Sequence, residues 1–355
     1  MLPVVPIGVL LLAPRKFTRD GQVQITGKIL VTGGAGYIGT HTVLTLQQSG
    51  YEVVILDNLS QGSQELVEDV LDAKLVIGDI CDRQLLDEIF QRDRFLGVIH
   101  LAGSAFVAES MRNPALYYRN NVVGTLTLLE AMADAQIGAI VFASTCATYG
   151  IPENGRPISE VDRQLPINPY GASKLMVERL LADFDRAYGV KSVIFRFFNA
   201  AGADPKGRLG EIHDPEPHLI PRVLNTALGK HAQISIYGTD YPTPDGTCIR
   251  DYVHVCDLAD AHVLGLHYLL SGESSGCFNL CNDRGFSVLD IIHTARSITG
   301  CPIPVQYSKR RLGDPAVLVG DSRKAKQVLG WSPRLQAINE ILSHAWQWHQ
   351  QYINF

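Results

Sequence analysis

The chain has 355 residues, 46% of them apolar, and a net charge of -5 with mixed signs. That is enough chain for one large or two modest domains, and it carries no basic footprint, so nucleic acid is not an expected partner. Seven cysteines, Cys81, Cys146, Cys248, Cys256, Cys277, Cys281 and Cys301, are scattered, odd in number and without C-x-x-C spacing, which points to a reducing, cytoplasmic compartment and away from a disulfide framework or structural zinc. The eleven histidines form no H-E-x-x-H pattern, and no metal is expected.

Leu2 to Ala13 is apolar but is broken by Pro3 and Pro6. It is too short to span a bilayer, and no basic residue precedes it, so it makes a poor signal peptide. Residues 1–27 read as a flexible tail, or as a start placed too far upstream, and no membrane partner is expected. Lys28 to Gly39, KILVTGGAGYIG, is the first organised stretch. Ile29, Leu30 and Val31 predict a buried parallel strand, glycines follow at once, and a helical pattern starts at Ile38. Gly34-x-Gly36-x-x-Gly39 fits a dinucleotide fingerprint, and Gly33, Gly36 and Gly39 also read as G-x-x-G-x-x-G. Such glycines permit a tight turn and a close approach of backbone N–H groups to a pyrophosphate at a helix N-terminus. Val53 to Leu56 predicts a second strand ending in Asp57, where an acid can hold the adenosine ribose. No Arg or Lys follows in NLSQGSQE, so a 2′-phosphate would meet that carboxylate unpaired; the cofactor reads as NAD rather than NADP.

A polar loop, a strand over Leu75 to Ile77 and then Gly78-Asp79-Ile80 come next. Asp79 suits either an adenine edge or the N-cap of the following helix, Leu85 to Phe90. Gly97 to Leu101 predicts a strand ending in Ala102-Gly103, small residues that admit a cofactor. A long helix is expected over Ala115 to Gln136, and a strand over Ala139 to Ala143 leading to Ser144-Thr145. Asn168-Pro169 opens a helix carrying Tyr170 and Lys174, four apart and therefore on one face. Tyrosine is a weak base at neutral pH; a nearby ammonium and a cationic nicotinamide would lower its pKa and let it take a sugar hydroxyl proton as hydride leaves the same carbon. Val193 to Phe197 continues the sheet. The second half mixes a Gly- and Pro-rich loop near 203–217 with shorter helices and strands. Arg250 and Arg311 are candidate clamps for a diphosphate.

The stretches VTGGAGYIGTH, LDNLS, YYRNNVVGT, STCATYG, PYGASKLMVE, FRFFNAAG, HLIP, YGTDYPTPDGTCIRDYVHV and RRLGDP give the chain its resemblance. From about Lys28 almost to the C-terminus it resembles the extended short-chain dehydrogenase/reductase family, and within it the members that invert C4 of UDP-hexoses. The resemblance implies an α/β fold, a Rossmann-type doubly wound parallel sheet over 28–200, with a smaller nucleotide-sugar domain built mainly from 201–355 and some segments returning to the sheet. It implies that Gly33, Gly36, Tyr37, Ile38 and Gly39 lie at the pyrophosphate of NAD, Asp57 and Asn58 at the ribose, and Asp79 and Ile80 at the adenine. Leu101, Ala102, Gly103, Asn120 and Phe198 would line the cofactor, with Tyr170 as base, Lys174 binding the nicotinamide ribose, and Thr145 on the sugar 4-oxygen. Asn199, His218, Tyr237, Arg250, Arg311 and Asp314 would hold the UDP portion, and Leu318 would form a wall of the sugar pocket. Ala105 stands where some members carry a lysine near the diphosphate, and His218 where some carry Asn. The implied activity is redox-neutral interconversion of UDP-glucose and UDP-galactose by a homodimer. UDP-pentose and UDP-N-acetylhexosamine epimerases share the machinery; a 4,6-dehydratase would need an acid and a base where Cys146 and Ala147 stand. A non-catalytic NAD sensor would have no use for Thr145, Tyr170 and Lys174.

Overall fold

The structure, a computed structural model, describes residues 15–17, 23–25, 27–152, 155–311 and 314–352. Most of the expected 1–27 tail lies outside the described residues; within it β1 (Arg15–Phe17) and β2 (Val23–Ile25) pair antiparallel.

Seven parallel strands form the central sheet: β3 (Lys28–Thr32), β4 (Glu52–Asp57), β5 (Lys74–Ile77), β6 (Phe95–His100), β7 (Ala139–Thr145), β8 (Lys191–Phe197) and β12 (Gly276–Leu280). Their spatial order is β12-β8-β7-β6-β3-β4-β5. The order reverses at β3, so a crevice opens there at the carboxyl ends of the strands. The strands read as continuous apolar runs because both faces are covered. Ile29, Val31, Val53, Ile55, Val141 and Val193 point to one core, shared with Val43, Leu46, Leu258 and Leu266. Leu30, Val54, Val98, Ile140 and Ile194 point to the other, shared with Leu86, Leu129, Val177 and Leu181. Helices Tyr37–Gln48 and Val255–Leu270 cover the first face; Arg83–Arg92, Gly124–Asp134 and Pro169–Tyr188 cover the second.

A third core gathers Val223 and Leu224 of helix Leu219–Ala227, Ile291 and Ile292 of helix Val288–Thr299, and Ile341 and Leu342 of helix Ile338–Tyr352. It also takes Ile234 and Ile236 of β10 (Ile234–Tyr237), which pairs in parallel with β14 (Val305–Ser308). A smaller sheet is centred on β11 (Ile249–His254), flanked by β13 (Gly285–Ser287), β15 (Val317–Leu318) and β9 (Asn199–Ala201). β9 follows β8 after one residue, so this sheet is fastened at the carboxyl end of the large one.

Three local expectations differ. The polar loop after Asp57 contains helix Gln64–Val70, capped by the Ser63 hydroxyl, which accepts the Leu66 N–H; seven residues with one buried side chain leave too short a period to read. Asp82, not Asp79, caps the helix that follows β5, accepting the Leu85 N–H. The helix expected over Ala115 to Gln136 is Pro114–Tyr117, then a π-helical turn Tyr118–Val123, then Gly124–Asp134. The π turn turns Asn121 into the interior, where its amide accepts from Ser104 N at 2.8 Å and donates to Ser173 Oγ at 3.0 Å.

One buried ion pair ties β7, β8 and helix Pro169–Tyr188 together. Arg196 Nη2 lies 2.6 Å from Glu178 Oε2, and the Ser144 hydroxyl donates to Glu178 Oε1 at 2.5 Å. Arg196 also donates to the Tyr149 hydroxyl, which donates to Asn279 on β12. Glu178→Ala leaves a buried guanidinium unpaired and is expected to cost about 3–5 kcal/mol in chemical unfolding; a loss below about 1 kcal/mol would mean that the network does not pin these strands.

Candidate active site

At the crevice, the turn after β3 is packed backbone to backbone. Gly33 has φ +71°, and a Cβ there would lie 2.5 Å from Ala102 N; a Cβ on Gly39 would lie 2.1 Å from Gly33 O. Gly36 is different, since its Cβ would meet only Gly33 O, at 3.4 Å. It borders a cleft shared with Ala35, Tyr37, Gly62, Gly210 and Ile212. The helix starting at Tyr37 has no side-chain cap and no acid in its first turn. Its N-terminal N–H groups are therefore available to an anion, the arrangement a dinucleotide diphosphate needs. The Tyr37 hydroxyl is committed elsewhere, donating to Gly202 O at 2.7 Å, and Ile38 packs on the first core, so both offer the cleft their backbone.

Asp57 ends β4, where its carboxylate accepts from Ala35 N at 3.0 Å and Leu59 N at 2.9 Å. Burial raises its pKa while the two N–H groups oppose that rise. Asn58 donates to Asp79 at 3.1 Å, and Asp79 accepts from Cys81 N at 2.8 Å. These three groups form one polar rim across the ends of β4 and β5. Ile80, by contrast, is buried in the second core.

Across the switch point, Leu101 N donates to Thr32 O at 2.9 Å, aligning Ala102 and Gly103 beside the glycine turn. Asn120 donates to Ser104 Oγ at 3.3 Å. A Cβ on Gly103 would lie 3.0 Å from Lys174 Nζ, so this glycine leaves room for the ammonium. Helix Pro169–Tyr188 starts from Asn168, whose side chain accepts the Gly171 N–H at 2.8 Å. A Cβ on Gly171 would stand 2.5 Å from Ala147 O, so the helix start is pressed onto the turn after β7. That contact brings Tyr170 to Thr145. Thr145, Tyr170 and Lys174 are 6%, 8% and 5% exposed. Burial pushes Tyr170 up to about 12, against a hydrogen bond from Thr145 that lowers it. Burial pulls Lys174 down to about 8. In the protein alone desolvation outweighs the other influences on Tyr170, and Lys174 Nζ donates to Ala143 O at 2.9 Å, 4.8 Å above the Phe142 ring.

The second group of candidates gathers on the smaller sheet. Asn199 donates to Asp251 O at 2.7 Å, and Arg250 pairs in register with Leu318. The Arg250 guanidinium donates to Pro315 O at 2.9 Å and stands 3.6 Å from Asp314. It is also close enough to the buried Cys146 thiol to oppose the upward push of burial there, which puts it at the end of β7. Arg311 lies 4.0 Å over the Tyr237 ring. The Phe198 ring is buried and lies against Gly320. His218 sits farther out, at the start of helix Leu219–Ala227, beside Glu211 and Glu216.

Several positioning groups escape the sequence reading. His100 bridges Thr32 and Thr125 at 2.6 and 2.8 Å, with burial holding the ring neutral at a pKa of about 3. Tyr117 packs edge-on against Tyr170. Asn121 was legible only as the second of two adjacent asparagines.

A switch-point crevice with a glycine turn and an acid on the adjacent strand, beside a buried Thr–Tyr–Lys set, defines a dinucleotide-dependent Rossmann-type enzyme. The profile of the NAD dependent epimerase/dehydratase family matches residues 29–281, and the chain belongs to that family. It is 50% identical over 324 residues to the UDP-glucose 4-epimerase of Halalkalibacterium halodurans, covering 91% of this chain and 96% of that one. The crystal structure of UDP-glucose 4-epimerase from Brucella ovis in complex with NAD superposes with a TM-score of 0.87 at 45% identity, covering 90% of this chain and 98% of that one. The Bifidobacterium longum UDP-glucose 4-epimerase in complex with NAD+ and UDP gives 0.87 at 38% identity, covering 92% and 99%.

The two kinds of glycine separate experimentally. Gly39→Ala forces backbone apart and is expected to lower stability by about 1–3 kcal/mol even without cofactor. Gly36→Ala should leave the melting temperature of the cofactor-free protein unchanged while lowering the NAD retained on purification, read from the absorbance released by acid. Equal NAD content in Gly36→Ala and wild type would place the diphosphate away from this turn.

Proposed function

We propose that this chain interconverts UDP-glucose and UDP-galactose with NAD as a tightly held cofactor. The observation that carries this reading is the convergence of Thr145, Tyr170 and Lys174 in one buried site at the carboxyl edge of the sheet, within the family established above. NAD would lie across the switch point, with its diphosphate at Gly33, Gly36 and the N–H groups of Tyr37 and Ile38, and its ribose hydroxyls at Asp57 and Asn58. When bound, it accepts hydride from sugar C4 and gives it back to the opposite face of the 4-keto sugar.

The chain's own groups handle the protons and the orientation. Tyr170 receives the proton of the sugar 4-hydroxyl and later returns it, and Thr145 hydrogen-bonds the 4-oxygen throughout. Burial keeps water out and makes Tyr170 a poor base by itself; the ammonium of Lys174 and the cationic nicotinamide together favour its phenolate when substrate is present. Arg250, Arg311 and Asn199 anchor the UDP while the sugar turns, with Tyr237 beside the base and Leu318 at the sugar. We assign the enzyme to the cytoplasm, where its cysteines remain free, and to galactose metabolism. We assign it a homodimer as well. Met111, Leu116, Val123 and Met176 are exposed at 62%, 39%, 49% and 43% on neighbouring helices, an apolar surface that a second copy would cover.

Tyr170→Phe should retain NAD and lose at least about a hundredfold in turnover of UDP-galactose, followed by chromatography of the two UDP-hexoses; turnover within a few-fold of wild type would remove Tyr170 from the mechanism. Arg250→Ala and Arg311→Ala should each weaken UDP binding by about 1.5–3 kcal/mol in calorimetric titration. Unchanged affinity in both would mean that the diphosphate lies elsewhere.

A further inference from the structure

The loop that borders the diphosphate cleft through Gly210 and Ile212 carries a cluster of which the epimerase reading uses only His218. Glu211, His213, Glu216 and His218 each turn one ligand atom to a common point, and those four atoms lie within 4.8 Å of one another. His218 Nδ1 is 2.7 Å from Glu211 Oε1 and 3.1 Å from Glu216 Oε1; His213 Nδ1 is 3.1 Å from Glu211 Oε1 and 3.6 Å from Glu216 Oε2. A tetrahedral zinc ion with bonds of about 2.0–2.1 Å to N and O has ligand–ligand edges of about 3.3 Å. The four His–Glu separations of 2.7 to 3.6 Å bracket that edge and no pair of ligand atoms exceeds 4.8 Å, so small side-chain shifts would bring the four donors around one ion.

The surroundings fit the same reading. The carboxylates are not a solvated acidic patch, since Glu211 and Glu216 side chains are 7% and 9% exposed. His213 Nδ1 is buried and makes no hydrogen bond; although Glu211 lies 3.1 Å away, the approach is off the line that an N–H···O bond needs. Burial lowers both imidazoles, but Glu211 and Glu216 outweigh it and raise His213 to about 9 and His218 to about 10, so an ion would enter in exchange for the imidazole protons. Phe106 packs edge-on against both imidazoles, at 5.5 and 6.1 Å, and Trp348 Nε1 donates to Glu211 O at 3.2 Å, so the ligands are held by an outer shell. His218, 47% exposed, leaves an entry path.

We propose that Glu211, His213, Glu216 and His218 form a binding site for one divalent transition-metal ion of the zinc type, which pins the loop over the diphosphate cleft. Two imidazoles with two carboxylates suit zinc or cobalt better than magnesium. Both histidines bind through Nδ1, which leaves Nε2 of His218 directed away from the metal. The expectation of no metal rested on the helical H-E-x-x-H pattern; this is a loop site with the spacing Glu-x-His-x-x-Glu-x-His, centred on Asp214-Pro215.

The test uses the full-length enzyme with its NAD, stripped with a chelator and titrated with Zn²⁺ by calorimetry and with Co²⁺ by visible absorption. The expected result is one ion per chain, a four-coordinate Co²⁺ spectrum displaced by Zn²⁺ and not by excess Mg²⁺, and a loss of at least a hundredfold in affinity in both His213→Ala and Glu216→Gln. NAD content and circular dichroism report whether each variant folds; Glu216→Gln keeps the side-chain shape should His213→Ala disturb the loop. Binding of equal strength in wild type and a folded variant, or no saturable binding by wild type, would overturn the proposal. These readouts are independent of turnover, so they stand whether or not the epimerase assignment holds.

Discussion

The structure depends on a place where no side chain fits. Gly39 in the first helical turn, Gly33 in the turn before it and Ala102 at the end of β6 meet through their backbones. That contact fixes how close the first helix comes to the sheet, and so where its uncapped N-terminus lies relative to the ends of β4 and β6. The Ala35 N–H that steadies Asp57 comes from the same turn. A methyl group at either glycine would separate helix from strand and move the rim of the crevice with it.

Beyond that turn, the site is built by burying ionisable groups against their preference. Burial raises Tyr170 and lowers Lys174, so it works against the charged form of each; Tyr170 stays neutral, while Lys174, at about 8, is still an ammonium at neutral pH. In the proposed reaction the charge that tips this balance arrives with the oxidised cofactor, and the base is competent only when its electron acceptor is in place. The nearby Glu178–Arg196 pair follows a different logic. It is closed through Ser144, Tyr149 and Asn279, reaches the site as the Glu178 charge that opposes the lowering of Lys174 by burial, and holds still the strand from which Thr145 and Ala143 project.

The central sheet was readable because parallel strands covered on both faces leave uninterrupted Val, Ile and Leu runs, and because glycines and Asp57 fall at strand ends. The Tyr170–Lys174 spacing was readable for the same kind of reason, since four residues is one helical turn. Helix Gln64–Val70 was not, because it buries little beyond Val67. Phe198 comes into the site by resemblance alone, and its ring lies against Gly320, a partner far along the chain that no local pattern announces. The Glu211–His218 loop fell outside the metal patterns that depend on helical spacing.

The π turn at Tyr118–Val123 gives this stretch a strict length. A π turn holds one residue more than the α-helical path it replaces, so the side chains before it and after it are about 100° out of step with a continuous helix. Tyr117 before the turn reaches Tyr170, and Leu128 and Leu129 after it reach the core under the sheet. Removing a single residue from Tyr118–Val123 would restore the ordinary phase, and one of these two sets would swing out of place. Loops elsewhere on the molecule can absorb insertions and deletions; this helix can absorb neither, and changes of length in related chains should stop at its borders.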